Sequence, residues 1–317
     1  MSNIPLLFTP TGIRPPFIYA ISNTGFGLYK IVHDGGDYLY LLSVIPTSSF
    51  DSYYKFNLKT GVKSQISKPV SNFAYDITYT NDIWATGHDG ATNNLYKQTA
   101  SIQNTSNLNS WKLIEGRIGN SYLYTYAKGG PIIIPPYWGP STIQRETCVH
   151  PTGMVTKLPG IGTTPAAECY AICATSTDGY FMFDDGAAKY FVSWGTGGST
   201  TFLTIPTNTI YAMAWDGSDY IYGIDSLGNV ERYSISGDSW TSLGSCGITV
   251  ASHLWKHDLF CYDGDLYVCG NGSVAKYDGS WATHNYDAGV NYRCGFIKDG
   301  IIFLGATNGN IYGYAAP

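Results

Sequence analysis

Short runs of alternating apolar and polar residues recur along the chain, and residues that favour turns separate them. The clearest set occupies residues 210–215, 220–224, 230–235 and 240–243. Alternation with a period of two is typical of β-strands that bury one face. The connectors between these runs are rich in Asp, Asn, Ser and Gly, which close tight turns. The pattern predicts a four-stranded antiparallel meander, whose strands are named a to d in chain order.

The same unit recurs seven times. One landmark turn per unit defines six intervals that span 264 residues, or 44 residues each, which is the length of one four-stranded propeller blade. The sequence therefore predicts an all-β, seven-bladed β-propeller that forms a single domain over residues 1–317. The third unit is the weakest, because Pro135 and Pro136 end its strand b early. The landmark turns lie at Asp34-Gly35-Gly36, Thr80-Asn81, Gly129-Gly130, Asp178-Gly179, Asp216-Gly217, Asp263-Gly264 and Asp299-Gly300.

The last unit has only three predicted strands, at residues 292–296, 301–304 and 311–314. Propellers commonly close by letting one terminus complete the blade of the other, which removes an exposed sheet edge. We expect residues 4–9 to form strand d of the last blade. The apolar segment at residues 17–21 has two open placements, as an extension of the first blade or across one face.

Composition supports strands over helices and excludes some partners. The chain has 27 Tyr and 37 Gly, whereas the helix former Glu occurs only at Glu115, Glu146, Glu168 and Glu231. The net charge is -5, and the 18 Lys and Arg are scattered, which argues against nucleic acid and anionic membranes as partners. No apolar run approaches the ~20 residues of a membrane span, and no signal peptide is recognisable. We expect synthesis in the cytoplasm, with release only by lysis or within an assembly.

Two units carry a motif that resembles the Kelch repeat. In unit five a strand b ending at Tyr222-Gly223 is followed by Tyr233 on strand c and by Trp240 at the start of strand d. Unit six repeats this with Val268-Cys269-Gly270, Tyr277 and Trp281. Unit two carries Tyr96 and, after a longer loop, Trp111. The double glycine of that family is missing, and units one, three, four and seven lack the Trp. The resemblance implies a Kelch-like propeller and no particular activity.

Candidate metal and catalytic chemistry is sparse. Paired carboxylates in the turns at Asp34, Asp216 and Asp263 suggest either turn formation or calcium, which needs six to eight oxygen ligands. His253 and His257 have i, i+4 spacing, but no third zinc ligand accompanies them. The seven cysteines favour buried thiols over disulfides. No nucleophile elbow, P-loop or dinucleotide fingerprint occurs. We therefore predict no catalytic residue, no metal, no cofactor and no enzyme activity.

Binding residues are expected on the face that carries the b–c and d–a connections. The adjacent aromatics Tyr137 and Trp138 are the best candidates in that set, and a packed loop is the alternative for them. Loop residues carry function more often than core residues. The candidates on this face are Phe50, His88, Tyr137, Trp138, Asp184, Asp185 and Asn229.

The low charge and the abundance of Tyr, Asn, Thr, Ser and Gly resemble bacteriophage tail and fibre proteins. The expected function is that of a non-enzymatic binding or scaffold propeller, a tail-associated or surface accessory component of a virion. Its expected partners are other structural proteins of the assembly, with a surface glycan as a further candidate. A cytoplasmic lectin-like propeller is the alternative, and a glycan hydrolase or lyase is the weaker one.

Overall fold

A computed structural model gives the arrangement of most of the strands. It is an all-β structure without a helix in the part of the chain that it describes. That part also contains no helix long and apolar enough to cross a bilayer. The described residues are 15–21, 27–34, 36–43, 52–66, 73–79, 83–88, 93–98, 111–116, 132–134, 138–139, 142–143, 147–149, 155–157, 168–184, 188–195, 200–248 and 259–317.

Six of the predicted units form four-stranded antiparallel sheets, and the third unit has a three-stranded sheet among the described residues. The first two blades consist of β2 (Leu28–His33), β3 (Tyr38–Ser43), β4 (Ser52–Asn57), β5 (Lys63–Ile66), β6 (Phe73–Tyr79), β7 (Ile83–His88), β8 (Asn93–Gln98) and β9 (Trp111–Gly116). The third unit consists of β10 (Ile132–Ile134), β13 (Thr147–Val149) and β14 (Val155–Lys157), with β11 (Trp138–Gly139) and β12 (Thr142–Ile143) between β10 and β13.

The remaining blades follow the same plan, and unit five has the four strands that its alternation predicts. The fourth to sixth blades consist of β15 (Glu168–Ala174), β16 (Asp178–Asp184), β17 (Lys189–Gly195), β18 (Thr200–Leu203), β19 (Ala212–Trp215), β20 (Tyr220–Ile224), β21 (Asn229–Ser234), β22 (Ser239–Ser245), β23 (Leu259–Tyr262), β24 (Asp265–Cys269), β25 (Ser273–Tyr277) and β26 (Trp281–Asn285). The last blade consists of β27 (Tyr292–Lys298), β28 (Ile301–Ala306), β29 (Asn310–Ala315) and β1 (Phe17–Ala20).

The first strands of the blades lie innermost and side by side. Contacts join β6 to β2, β2 to β27, β27 to β23, β23 to β19, and β19 to β15. The contact between β2 and β27 joins the first blade to the last, so the chain closes on itself. This arrangement is that of a β-propeller. The count of seven blades stays a prediction, because strand a of the third unit falls outside the described residues.

The N-terminal part of the chain completes the last blade, but with a different segment from the one expected. β1 pairs antiparallel with β29, with Phe17 opposite Gly313 and Ala20 opposite Asn310. Residues 4–9 lie outside the described part, and the position assigned to them is held by β1. β1 alternates as a strand with one buried face does, since Phe17 and Ile21 are buried while Ile18 is exposed. Gly313 leaves the space that the Phe17 ring fills, because a Cβ there would collide with the ring.

The seam between the first and last blades also carries polar contacts. The His33 ring stacks on Phe296 with centroids 4.6 Å apart. Lys298 Nζ donates a hydrogen bond to the Gly36 carbonyl oxygen and lies 3.2 Å from His33 Nε2. Burial lowers the pKa of His33, and the Lys298 ammonium adds to this, whereas the hydrogen bond with Gly36 opposes it. The seam is therefore arranged around a neutral imidazole.

The two ends of the blades form two faces of the ring. The turn face carries the a–b and c–d turns, such as residues 216–219 and 235–238. The loop face carries the b–c connections, such as residues 225–228, and the d–a connections, such as residues 204–211. Strand a runs from the loop face to the turn face in every described four-stranded blade.

Two tryptophans of the Kelch-like motif join neighbouring blades. Trp240 Nε1 donates a hydrogen bond to the Thr204 carbonyl oxygen at 2.8 Å, and Trp281 Nε1 donates to the Leu243 carbonyl oxygen at 2.9 Å. Each bond runs from the start of one strand d to the outer part of the preceding blade. The position of Trp at the start of strand d is thus structural in this chain.

Candidate binding surface on the loop face

Four of the innermost strands begin with an extra residue. The pairing register shifts between Leu28 and Lys30 in β2, between Ala74 and Asp76 in β6, between Cys169 and Ala171 in β15, and between Tyr292 and Cys294 in β27. Such β-bulges redirect a side chain and interrupt the ladder locally. The extra residues are Tyr29, Tyr75, Tyr170 and Arg293.

The fifth blade has the same irregularity just before its strand a. Tyr211 N–H donates a hydrogen bond to the Ile224 carbonyl oxygen at 2.8 Å, while Ala212 is the register partner of Ile224. Two residues therefore oppose one, as in the other four blades. We name the set of five extra residues the bulge ring: Tyr29, Tyr75, Tyr170, Tyr211 and Arg293.

The bulge ring lies at the inner edge of the loop face. Strand a is innermost in each blade, and its first residues pair with the last residues of strand b. Leu28, for example, lies opposite Ser43, after which the b–c connection begins. The order of contacts between inner strands places Arg293 beside Tyr29 on the adjoining blade. The ring therefore places four tyrosines and one arginine around the axis of the propeller, with a gap between Arg293 and Tyr211 at the sixth blade, where the described part of β23 shows no register shift.

The connection that leads to Tyr211 is held firmly in place. The buried carboxylate of Glu231 accepts hydrogen bonds from the N–H groups of Thr207 and Asn208 at 3.1 and 2.8 Å. Ile210 packs against Gly223, where an added Cβ would lie 2.8 Å from Ile210 Cγ2. These contacts fix the backbone that leads into the bulge, while the side chain of Tyr211 is half-buried. The side chain of Arg293 is also half-buried.

A small ribbon stands in the b–c connection of the third unit. Trp138 pairs with Ile143 and Gly139 pairs with Thr142, which makes a two-stranded antiparallel ribbon between β10 and β13. Trp138 therefore lies in a structured extension of the loop face. Among the described residues, this is the one b–c connection that has strands of its own.

The other residues expected to bind ligand are spread around the same face. His88 ends β7 and Asp184 ends β16. Asn229 begins β21, where its N–H and Nδ2 each donate to the Asp225 carboxylate at 2.8 Å. Asn229 thus takes part in the turn of its own loop. Three further candidates, Phe50, Tyr137 and Asp185, lie outside the described residues, as do His253 and His257.

The carboxylates considered for calcium close turns, as the alternative interpretation predicts. Asp34 Oδ1 accepts hydrogen bonds from Gly36 N–H and Tyr38 N–H, and Asp216 Oδ1 accepts from Ser218 N–H and Tyr220 N–H. Asp265 pairs with Lys276 at 3.0 Å. Within the described residues no group of three or more His, Cys, Asp or Glu side chains is placed to hold a metal ion.

Four of the five free cysteines whose side chains are described are buried, Cys261 is half-buried, and the two that follow are unsuited to nucleophilic chemistry. Burial raises the pKa of Cys173 and of Cys261, so both are neutral thiols near pH 7. A thiol rather than a thiolate is a poor nucleophile and a poor metal ligand. These cysteines act as small apolar residues between the inner strands.

The bulge ring was missed by the reading of the sequence, although the sequence contains a signal for it. Tyr29, Tyr75 and Tyr211 stand five positions before the first residue of the predicted a–b turn, at positions 34, 80 and 216, whereas Tyr170 stands eight positions before the turn predicted at Asp178. This recurrence is visible without a structure. That the tyrosine is an extra residue in the ladder is not visible, because a bulge depends on the partner strand.

Comparisons with known proteins support the fold. No protein-family model matches the chain, and no curated protein matches its sequence. Three solved structures resemble it. A streptogramin B lyase has a TM-score of 0.66 at 11% identity, covering 94% of this chain and 96% of that one. YCF48 bound to D1 peptide has a TM-score of 0.66 at 11% identity, covering 96% of each chain. Virginiamycin B lyase from Staphylococcus aureus with quinupristin has a TM-score of 0.63 at 13% identity, covering 95% and 99%. At these identities the likeness establishes the β-propeller fold alone.

Proposed function

We propose that the protein is a non-enzymatic binding propeller that contacts a partner protein through its loop face. The observation that carries this proposal is the bulge ring, which repeats an irregularity of the inner strand in five blades and puts Tyr or Arg there each time. Tyrosine and arginine are enriched at protein interfaces, where they supply large contact areas and several hydrogen bonds.

The ribbon that carries Trp138 adds a second contact element on the same face. It lies in the b–c connection, and the bulge ring lies at the starts of the inner strands, so one partner can meet both. A fold neighbour, YCF48, was solved with a peptide bound, which shows that this fold can hold a polypeptide ligand. The peptide bound to YCF48 does not identify the partner of the present chain, which is proposed separately below.

The proposed setting is a bacteriophage virion, with the protein as a tail-associated or surface accessory component made in the cytoplasm. The support is compositional: 13% charged residues with abundant Tyr and Gly resemble phage tail and fibre proteins. Mass spectrometry of purified virions tests the setting. Detection at a fixed copy number relative to the major tail protein supports the proposal, and absence from virions of a phage that expresses the protein overturns it.

Carbohydrate binding is the second candidate, because tyrosine rings can stack on sugar rings as well as on peptides, and four tyrosines occupy equivalent positions. A glycan array probed with the purified protein separates the two. Specific binding to one glycan family, lost on Tyr211→Ala, would favour a lectin-like role over a protein partner.

Catalysis is a third and weaker candidate, since two of the fold neighbours are lyases. The described residues offer no cluster for a metal and no activated thiol. Incubation with candidate polysaccharides, followed by detection of reducing ends or unsaturated products, tests this directly. Turnover that survives repeated purification would overturn the non-enzymatic proposal.

A further inference from the structure

Arg293 is the one cation in the bulge ring, and its surroundings along the ring differ from those of the tyrosines. It is the extra residue of β27, and β27 adjoins β2, which contributes Tyr29 and, at the next position, Lys30. Two cationic residues and one tyrosine thus lie near the loop-face ends of two adjoining inner strands. Each of the other described members of the ring is a tyrosine.

We propose that the bulge ring binds a carboxylate-bearing segment of a partner polypeptide, with the carboxylate at Arg293 and the flanking residues on the tyrosines. This inference rests on the proposed function and specifies its ligand. The planar guanidinium offers five N–H donors in a fork that matches a carboxylate with two parallel hydrogen bonds. Arg293 has an interaction within the protein, and the number of its donors allows it to keep that interaction while binding a ligand.

The tyrosines favour a polypeptide as the occupant. Tyrosine gives a large, rigid contact area at a low cost in side-chain entropy, and its hydroxyl group can bond to backbone amides. Tyrosines at four equivalent positions of the inner strands suit a chain that lies across the mouth of the ring and presents one acidic group. Lys30 is mostly buried, at 7% exposed, and has an interaction within the protein, so we expect no contact between it and the ligand.

The experiment uses the full-length protein and an array of random decapeptides, each present with a free and with an amidated C-terminus. Peptides that bind are then measured by fluorescence anisotropy. We expect the selected peptides to contain a carboxylate at one recurrent position, either an Asp or Glu side chain or the C-terminus. Neutralising that group, by Asp→Asn, Glu→Gln or amidation, should weaken binding at least tenfold.

Protein variants then assign the carboxylate to Arg293. Arg293→Gln should weaken binding at least tenfold, and combining it with the neutral peptide should cause no further loss. Arg293→Lys keeps the charge but removes the fork, so it should retain only part of the affinity. Arg232→Gln is the matched control, because Arg232 lies over the Tyr220 ring, 4.4 Å from its centroid, on a strand away from the inner edge. It should bind as the unmodified protein does.

The outcomes separate this inference from the function on which it rests. If peptides bind and Arg293→Gln has no effect in a folded protein, the binding function stands and the site is wrong. If Arg293→Gln does not fold, the affinities of Arg293→Lys and of the neutral peptide test the site instead. Unchanged affinity in both measurements would then overturn the assignment of the carboxylate to Arg293. If acidic glycans bind in an Arg293-dependent way and no peptide does, the occupant is a sugar and the inference fails. If neither peptides nor acidic glycans bind, both the proposed binding function and the carboxylate site are overturned.

Discussion

Carboxylates accept hydrogen bonds on both faces of the ring, Asp225 and Glu231 on the loop face among them, but the two faces differ in the strand irregularity that recurs from blade to blade. On the turn face, Asp219 accepts hydrogen bonds from Ser234 and Ser236, and Asp238 accepts from Thr204 N–H and Tyr233 OH, each at 2.8 to 3.0 Å. These bonds lower the pKa of both carboxyls, the one from Ser234 most for Asp219 and the one from Thr204 most for Asp238. On the loop face the repeated feature is the bulge ring, which interrupts pairing instead of adding to it.

This difference indicates which face contributes mainly to stability and which face is available for binding. Turn-face carboxylates are engaged with donors of their own or the neighbouring blade, so they stabilise the ring and offer little to a partner. A bulge leaves a residue outside the regular ladder. Its repetition in five blades, with Tyr four times, sets the loop face apart from the turn face. Substitutions on the two faces should therefore separate stability from binding.

The largest expected effect comes from breaking the closure that both faces depend on. Phe17→Ala should lower the free energy of unfolding by about 3–5 kcal/mol, the usual cost of truncating a buried Phe. Phe17 is 4% exposed and packs on Phe303, with ring centroids 5.6 Å apart. Urea denaturation measures the change.

Ile18→Ala is the control for this closure, because Ile18 is 55% exposed on the same strand. Its effect should stay within about 0.5 kcal/mol. Equal effects of the two substitutions would show that β1 does not complete the last blade as described.

The next effect belongs to the turn face. Asp238→Ala removes a charged acceptor from Thr204 N–H and Tyr233 OH and leaves a buried hydroxyl unpaired, so it should cost about 2 kcal/mol of stability. Asp278→Ala is the control, since Asp278 is half-exposed and lies 3.8 Å from Lys276. If the control destabilises the protein as much, the bonds to Thr204 and Tyr233 are not the cause.

A substitution on the loop face should change the affinity for the partner and leave stability nearly unchanged. Trp138→Ala should weaken partner binding by about 2 kcal/mol, or about 30-fold, with little change in stability. Titration calorimetry and thermal unfolding of the same sample measure both. If the variant instead unfolds, and the folded fraction binds normally, Trp138 is a core residue and the partner surface lies elsewhere.

The smallest effect is a dependence on pH at the seam. Because burial holds the pKa of His33 below its usual value of about 6.5, the unfolded chain takes up a proton first as the pH falls. The stability due to neutral His33 is thus full above pH 6.5 and is lost as the pH falls through the folded pKa. The melting temperature should fall between pH 7.5 and 5, and less so for His33→Gln. If the melting temperature falls equally in the unmodified protein and in His33→Gln, titratable groups other than His33 cause the loss of stability.

Local chemistry explains what could be predicted from the sequence. Asp216-Gly217 and Asp299-Gly300 mark turns because Asp and Gly accept the required backbone angles, and both turns lie where expected. Closure by the N-terminus was also expected, but residues 4–9 and 17–21 are both apolar. Only the fit of Phe17 against Gly313 distinguishes them, and that fit joins residues at opposite ends of the chain.

The bulge ring could not be predicted for the same reason. Tyr211 and Tyr29 look like ordinary strand residues, and their displacement appears only in the register against Ile224 and Leu42. Trp138 stood out because two adjacent aromatics follow two prolines, and its ribbon pairing is again a matter of register.

The central claim, that partners meet the loop face, can be tested with a photoreactive residue on each face. Benzoylphenylalanine replaces Tyr211 at the bulge ring or Ser218 in an exposed turn on the other face. Virions, the proposed setting of the protein, are purified with either variant and irradiated, and cross-linked peptides are sequenced by mass spectrometry. We predict cross-links from position 211 to one recurrent segment of another virion protein, and none from position 218. Cross-links to a partner from position 218, with only self-peptides from position 211, would contradict the claim.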